Sequence, residues 1–212
     1  MNDSKTLLVI GICGKKGSGK TTIASHIKNN SNTKCIEYAM ADPLKDGVSK
    51  LFGLTYDQTH GNLKEVVDRR YNVTPRKMLQ VIGTEWLRDR LEIDVGIKLK
   101  ETLWITRFRE FVSDIQENTK YATIVVHDVR YVDELEAVLS YPCSKVIFVE
   151  RKTQSEVKDE LSSHKSENTD ELRHYLNLKC NNNRWKYIEN NSSKENLICA
   201  IDTLLIEDWF VN

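Results

Sequence analysis

Gly14-Lys15-Lys16-Gly17-Ser18-Gly19-Lys20-Thr21 fills every fixed position of the pattern G-x-x-x-x-G-K-[ST], a pattern with a known mechanism. Glycines let consecutive backbone N–H groups wrap phosphate oxygens, the lysine reaches the β and γ phosphates, and the final hydroxyl ligates Mg2+. The surroundings suit that chemistry. An apolar run, Leu7 to Cys13, precedes the glycines, and a helical pattern, Thr21 to Asn29, follows them. The helix N-terminus adds partial positive charge where phosphate would sit. Gly14 through Thr22 is therefore the candidate cradle for a nucleotide's phosphates, with Lys20 its acting cation and Thr21 a metal ligand.

Three further groups carry side chains suited to phosphate chemistry. His127-Asp128-Val129-Arg130 closes an apolar run, Ala122 to His127. Asp128 there can hold Mg2+ through water, and Arg130 can clamp a phosphate through its planar fork; a surface turn with an incidental ion pair is the alternative. Asp42 and Lys45, in Ala41-Asp-Pro-Leu-Lys45, follow a second β-type run, either as a helix cap or facing a ligand. Arg76, Gln80 and Thr84 recur at i, i+4 and i+8, which puts them on one helix face with Lys77 beside them. Spacing alone favours reading that face as a solvated stripe. The same two-way reading holds for Trp104, core or base-stacking platform, and for the polar stretch Ser163-His164-Lys165-Ser166-Glu167.

The elements needed to position these residues are legible. Five short β-type runs, near 7–13, 35–39, 122–127, 145–150 and 186–189, alternate with helical patterns. Alternation implies a mostly parallel sheet covered by helices on both faces, an α/β class. Helices are expected over Thr21 to Asn29, Pro75 to Arg90, with Thr74 as its cap, Asp94 to Glu117, Val132 to Leu139 and Glu195 to Ile206. Two long excursions interrupt the alternation. One, about 42–120, reads as helix and loop, and the other, about 152–184, is polar and lid-like; both leave strand ends where α/β proteins build sites. The expectation is a single domain with a helical substrate region and a lid.

Composition narrows the function classes. The chain has 212 residues, with 31 basic and 31 acidic side chains that cancel, which argues against direct nucleic-acid binding. No apolar run approaches a membrane span, and the N-terminal residues lack the pattern of a signal peptide. The five cysteines are scattered and form no CxxC pair, so neither a disulfide framework nor a zinc site is expected. A cytoplasmic protein is expected, in the host cytoplasm if viral, and the sequence is compatible with a homodimer. The guanine-reading N-K-x-D and the switch D-x-x-G of GTPases are both missing from the sequence. A small phosphotransferase is the leading class.

The order of motifs resembles the deoxynucleoside monophosphate kinase family of bacteriophages and large DNA viruses, a P-loop kinase family. The resemblance rests on Gly14 to Thr21, Ala41-Asp-Pro-Leu-Lys45, Arg76-Lys-Met-Leu-Gln-Val-Ile-Gly-Thr-Glu85, Asp128-Val-Arg130, Ser166-Glu-Asn168 and Ile188-Glu-Asn-Asn191. It implies a three-layer α/β/α P-loop kinase fold. It also implies phosphoryl transfer from ATP, with Mg2+, to a deoxynucleoside 5′-monophosphate. By similarity, Arg76, Lys77, Gln80, Gly83 and Thr84 map to substrate-binding positions, as do Asp128, Arg130, Glu134 and, on a looser match of its context, Trp104.

The expected mechanism follows. ATP and Mg2+ sit on Gly14 to Thr22, with Thr21 and Asp128 holding the ion, and the acceptor enters from the side of Asp42, Lys45 and Thr84. Lys20, Arg130 and lid cations (Arg151, Lys152 or Lys165, beside His164, Ser166 and Glu167) neutralise the transferring phosphoryl. The acceptor phosphate oxygen is the nucleophile, and lid closure excludes water. The rivals are a P-loop kinase of another small phosphate, such as phosphomevalonate, and a nucleotide sensor or nucleic-acid-associated ATPase.

Overall fold

A computed structural model of the chain describes residues 6–152, 169–181 and 183–206. Five strands form one sheet: β1 (Thr6–Cys13), β2 (Lys34–Tyr38), β3 (Tyr121–Val129), β4 (Ser144–Glu150) and β5 (Trp185–Glu189). Their order is β2-β3-β1-β4-β5, and every pairing is parallel. Each β-type run expected from sequence is a strand here. Parallel strands covered on both faces read as continuous apolar runs, and β3 and β4 do so.

The chain groups into two compact units, Met1–Ala39 with Arg109–Asn212, and Met40–Phe108. In the first, helices α1 (Lys20–Asn30) and α9 (Lys194–Ile206) cover one face of the sheet. There Ile10, Ile12, Val125, Ile147 and Ile188 meet Ile23, Ile27, Leu197 and Ile201. Helix α7 (Val132–Leu139) packs on the other face, and α8 (Asp170–Lys179) packs on α7. Val138 of α7 reaches Gly11 so closely that a Cβ there would lie 3.1 Å from its methyl group. Parallel strands put their carboxyl ends on one edge, so the segments after Cys13, Val129, Glu150 and Glu189 all leave from that edge.

The second unit is built from short pieces: α2 (Asp42–Phe52), α3 (Tyr56–Thr59), a 3-10 turn (Asn62–Glu65), α4 (Pro75–Gln80), a π-helical turn (Val81–Trp86), α5 (Leu91–Val95) and the start of α6 (Leu103–Asn118). Its core cluster is small, Val48, Leu54 and Met78, with Leu44, Phe52, Val73, Leu79 and Ile82 around it.

Three local expectations are corrected here. The helix expected over Pro75 to Arg90 begins as predicted, with the Thr74 hydroxyl accepting from the Lys77 N–H at 3.2 Å. It stays α-helical only to Gln80, then widens: the N–H groups of Leu87 and Asp89 donate to the carbonyls five residues back, at 2.9 and 3.0 Å. The helix expected over Asp94 to Glu117 is two helices, because Gly96 takes a left-handed conformation (φ 75°) that closes α5, and α6 starts at Leu103. Asp42 is the first residue of α2 and Ala41 its cap; the Asp42 carboxylate serves Lys45 instead.

Candidate active site

The loop joining β1 to α1 has the backbone of a cradle. Gly14, Gly17 and Gly19 have φ of 146°, 76° and 104°, which L side chains rarely adopt. Space is also short. A Cβ on Gly14 would overlap the Val149 carbonyl oxygen, and one on Gly19 would lie 2.8 Å from both Asn190 Nδ2 and Leu197 Cδ2. The Lys20 ammonium folds over its own loop and donates to the carbonyls of Gly14 (2.6 Å) and Lys15 (2.7 Å). Ser18 is buried, with its hydroxyl unpartnered. Lys15, Lys16 and Thr21 are exposed, and Thr22 is half-buried in the first turn of α1.

At the end of β3 the register slips. Gly11 pairs with Val126, and Cys13 pairs with Val129, so one extra residue is accommodated at His127–Asp128. A bulge bends the strand and re-aims side chains, and this one carries Asp128, which is half-buried beside buried Val129. Arg130 follows directly. Glu134 is buried, and its Oε2 accepts the N–H of Arg130 (2.8 Å) and of Tyr131 (3.2 Å). That carboxylate therefore organises the turn from which Arg130 projects. Burial pushes the Cys13 thiol, in the adjacent strand, far above its ordinary value.

The second unit gathers the remaining candidates on its own helices. In α2, Lys45 Nζ lies 2.6 Å from Asp42 Oδ1, and His60 Nε2 lies 3.7 Å from the same oxygen. His60 stacks on Tyr56 with ring centroids 4.5 Å apart, and burial and the Lys45 charge hold its pKa below the usual histidine range. Leu44 packs where Gly83 lacks a side chain, since a Cβ there would overlap Leu44 Cδ2. The Leu44 side chain thus fills the space beside Gly83.

Arg76, Gln80 and Thr84 lie along α4 and the π turn. In an α-helix each four-residue step overshoots a full turn by about 40°, so two such steps would carry Thr84 well off the Arg76 line. The wider π turn reverses that drift and returns Thr84 toward it. Arg76 Nε donates to Glu65 Oε1. Gln80 and Thr84 are each only 9% exposed, and Gln80 Nε2 is buried with no hydrogen-bond partner. Lys77 is exposed and pairs weakly with Glu85 at 3.8 Å. Trp104 is buried at the start of α6.

Of the lid residues, Arg151 and Lys152 are exposed. Lys152 pairs with Glu189 at 2.8 Å, and its N–H donates to Asn191 Oδ1 at 2.7 Å. His164, Lys165, Ser166 and Glu167 lie outside the described residues. Sequence reasoning assigned no role to His60, Glu65 or Asn190. Asn190 was visible as part of Ile188-Glu-Asn-Asn191, but no local signal shows that its amide reaches Ser18. Among the described residues no cluster of three or more His, Cys, Asp or Glu side chains could hold a metal, and no helix is long and apolar enough to cross a membrane. All five cysteines are free thiols.

No family model matches the sequence. A protein of Acanthamoeba polyphaga mimivirus, named provisionally as a deoxynucleotide monophosphate kinase, is 36% identical over 135 residues, covering 62% of this chain and 68% of its own. Among solved structures, dephospho-CoA kinase from Campylobacter jejuni is similar at 16% identity over 95% of this chain and 97% of that one, with a TM-score of 0.47. A sugar kinase from a Janibacter species is similar at 14% identity over 95% of each chain, with a TM-score of 0.45.

Proposed function

The chain belongs to the deoxynucleoside monophosphate kinase family, and we propose that it transfers the terminal phosphoryl group of ATP to a deoxynucleoside 5′-monophosphate. The observation that carries the acceptor reading is Gln80. A buried amide nitrogen without a partner is uncommon and costly in a folded protein, and here it lies on the same helical face as Arg76 and Thr84. A base edge offers such an amide both an acceptor and a donor; a small phosphate without a base does not need one. Arg76, a turn earlier, is suited to the acceptor's phosphate, and Thr84, a turn later, to its sugar or base.

The donor side fits ATP on chemical grounds. Gly14 to Thr22 offers backbone N–H groups at a helix N-terminus, and the positive φ of its glycines lets the loop turn as a phosphate cradle must. Thr21 and Asp128 are the residues suited to a divalent ion, most of whose remaining ligands would come from phosphate oxygens and water. Bound there, the ion would neutralise charge on the phosphates.

Phosphoryl transfer asks for positioning and charge neutralisation more than for covalent chemistry. Lys20 gives up its two carbonyl partners to bind phosphate oxygens, while the loop's N–H groups stay fixed. Arg130, held by the Glu134-anchored turn, supplies a planar cation for charge that grows on the transferring group. Arg76 orients the acceptor phosphate, whose oxygen is the nucleophile.

The test is ADP release, followed by coupled assay, with dAMP, dGMP, dCMP, dTMP, their ribose counterparts and phosphomevalonate. Turnover with at least one deoxynucleotide well above that with phosphomevalonate supports the reading. Preference for phosphomevalonate overturns it, and hydrolysis stimulated only by single-stranded DNA would replace it with an ATPase.

A further inference from the structure

Asn190 sits just past the end of β5, and its side chain is built into the back of the glycine loop. It is 6% exposed, its N–H donates to the Glu150 carbonyl at 2.7 Å, and its Nδ2 donates to the Ser18 carbonyl at 2.9 Å. The same Nδ2 packs against Gly19 so closely that a Cβ there would lie 2.8 Å from it. The rigid sheet edge thus reaches across to a single peptide plane of the loop.

That plane needs outside support. The Ser18–Gly19 peptide turns on the ψ of Ser18 and the φ of Gly19, and glycine adopts positive and negative φ almost equally well. The flexibility that lets the loop wrap phosphates therefore also lets this plane rotate. In a trans peptide the carbonyl and the N–H point in opposite directions. Fixing the Ser18 carbonyl against Asn190 consequently aims the Gly19 N–H away from β5, to join the unsatisfied donors at the start of α1.

We propose that Asn190 is a positioning residue that locks the Ser18–Gly19 peptide so that the Gly19 N–H is presented to the donor nucleotide's phosphates. The inference rests on the reading of Gly14 to Thr22 as the ATP cradle. Preorganised N–H donors bind charge without reorganising, so an unlocked loop binds phosphates more weakly. The acceptor, held by Arg76 and Gln80, is indifferent to the change.

The experiment measures equilibrium binding of ATP and ADP with Mg2+, the KM for the acceptor, and the melting temperature without nucleotide, in the native protein, Asn190→Ala and Asn190→Asp. Asn190→Ala removes the lock, and Asn190→Asp also places a carboxylate against the Ser18 carbonyl. ATP and ADP should weaken by the same factor, about tenfold in Asn190→Ala and further in Asn190→Asp, while the acceptor KM stays within about twofold. Native ATP affinity in folded Asn190→Ala overturns the proposal, whatever becomes of Asn190→Asp. So does a parallel loss of ATP affinity, acceptor KM and melting temperature, because that pattern marks a general packing role. A native protein that binds no ATP defeats the cradle reading itself and the proposal with it.

Discussion

The two units solve the problem of presenting polar groups in opposite ways. In the unit with the sheet, a wide apolar core built on five parallel strands holds the candidate residues where they leave strand ends, on the loop after β1 and just past β3. In the Met40–Phe108 unit a small core supports many short elements, and the polar face is assembled from a helix, a π turn and a packing contact between Leu44 and Gly83. Among the described residues, most of the exposed large apolar side chains, including Leu51, Tyr56, Trp86 and Ile93, also belong to this second unit. Elements with little buried contact open most easily. On the proposed function the contrast makes the donor side stiff and the acceptor side adaptable, and mutations in the two should fail differently.

The largest effect is expected in the stiff unit. Lys20→Ala should lower turnover with every acceptor by on the order of a thousandfold, since it removes a cation aimed at the phosphates being transferred. The circular dichroism spectrum should stay native, because the Lys20 bonds to the Gly14 and Lys15 carbonyls lie within its own loop. Substantial turnover in the folded variant would break the assignment of the donor side.

Arg130→Ala should cost about a hundredfold, in kcat and kcat/KM together, as for loss of one preorganised donor that acts in the transition state. Arg130→Lys should recover little, because a point charge lacks the bidentate fork. The comparison sharpens if Arg130→Ala leaves acceptor KM unchanged. A rate close to native would instead make Arg130 a surface ion-pair residue.

Gln80→Leu tests the adaptable unit, and its signature is two effects of opposite sign. The acceptor KM should rise about tenfold, as the loss of roughly 1–2 kcal/mol of hydrogen bonding implies, and the ranking among bases should change. Arg76→Ala, by contrast, should weaken all bases alike. Without ligand, Gln80→Leu should melt at the same temperature as the native protein or higher, because it removes a buried nitrogen that has no partner. A lower melting temperature with an unchanged KM would show that the amide serves packing.

How much of this the sequence disclosed follows the same division. The glycine loop and all five strands are legible because their signals are local: a contiguous motif and contiguous apolar runs. The face of Arg76, Gln80 and Thr84 is legible by spacing, but its true geometry depends on the π turn at Val81–Trp86, which no period of 3.6 announces. The break at Gly96 is readable in principle, since glycine followed by a polar stretch is a stop signal, yet apolar spacing on either side hides it. Asp42 reads as a cap from its type and its Pro43 neighbour, but Lys45, one turn on, takes its carboxylate. The bond from Asn190 to Ser18 joins residues 172 positions apart and leaves no local trace.

The smallest effect concerns acid, and it asks whether the second unit has a stabilising device of its own. Asp68 is buried beside a one-bridge turn with Val73. Its carboxylate accepts from the Arg70 guanidinium, with Nη2 at 2.6 Å, and also from the Arg70 N–H and from Gln58 Nε2. Those bonds, the Arg70 side chain's first, hold its pKa far below the usual carboxylate range. Arg70 also donates to the Gly53 carbonyl, and Tyr71 to the Phe52 carbonyl, so the network ties the end of α2 to this turn. A carboxyl with a lower pKa folded than unfolded gives stability that is present above about pH 4 and is lost as pH falls below it. In the sheet unit the lowered carboxyls are exposed, Glu189 in a pair with Lys152 and Glu195 in the first turn of α9, and exposed pairs contribute little. Amide exchange, corrected for its intrinsic pH dependence, should therefore lose protection in Met40–Phe108 before the sheet as pH falls from about 6 to 3. The difference should be a few-fold, and Asp68→Asn should remove it while lowering protection of that unit at pH 6. Equal acid sensitivity of both units in the native protein would mean that Asp68 organises only its own turn, and that the two units share one stability.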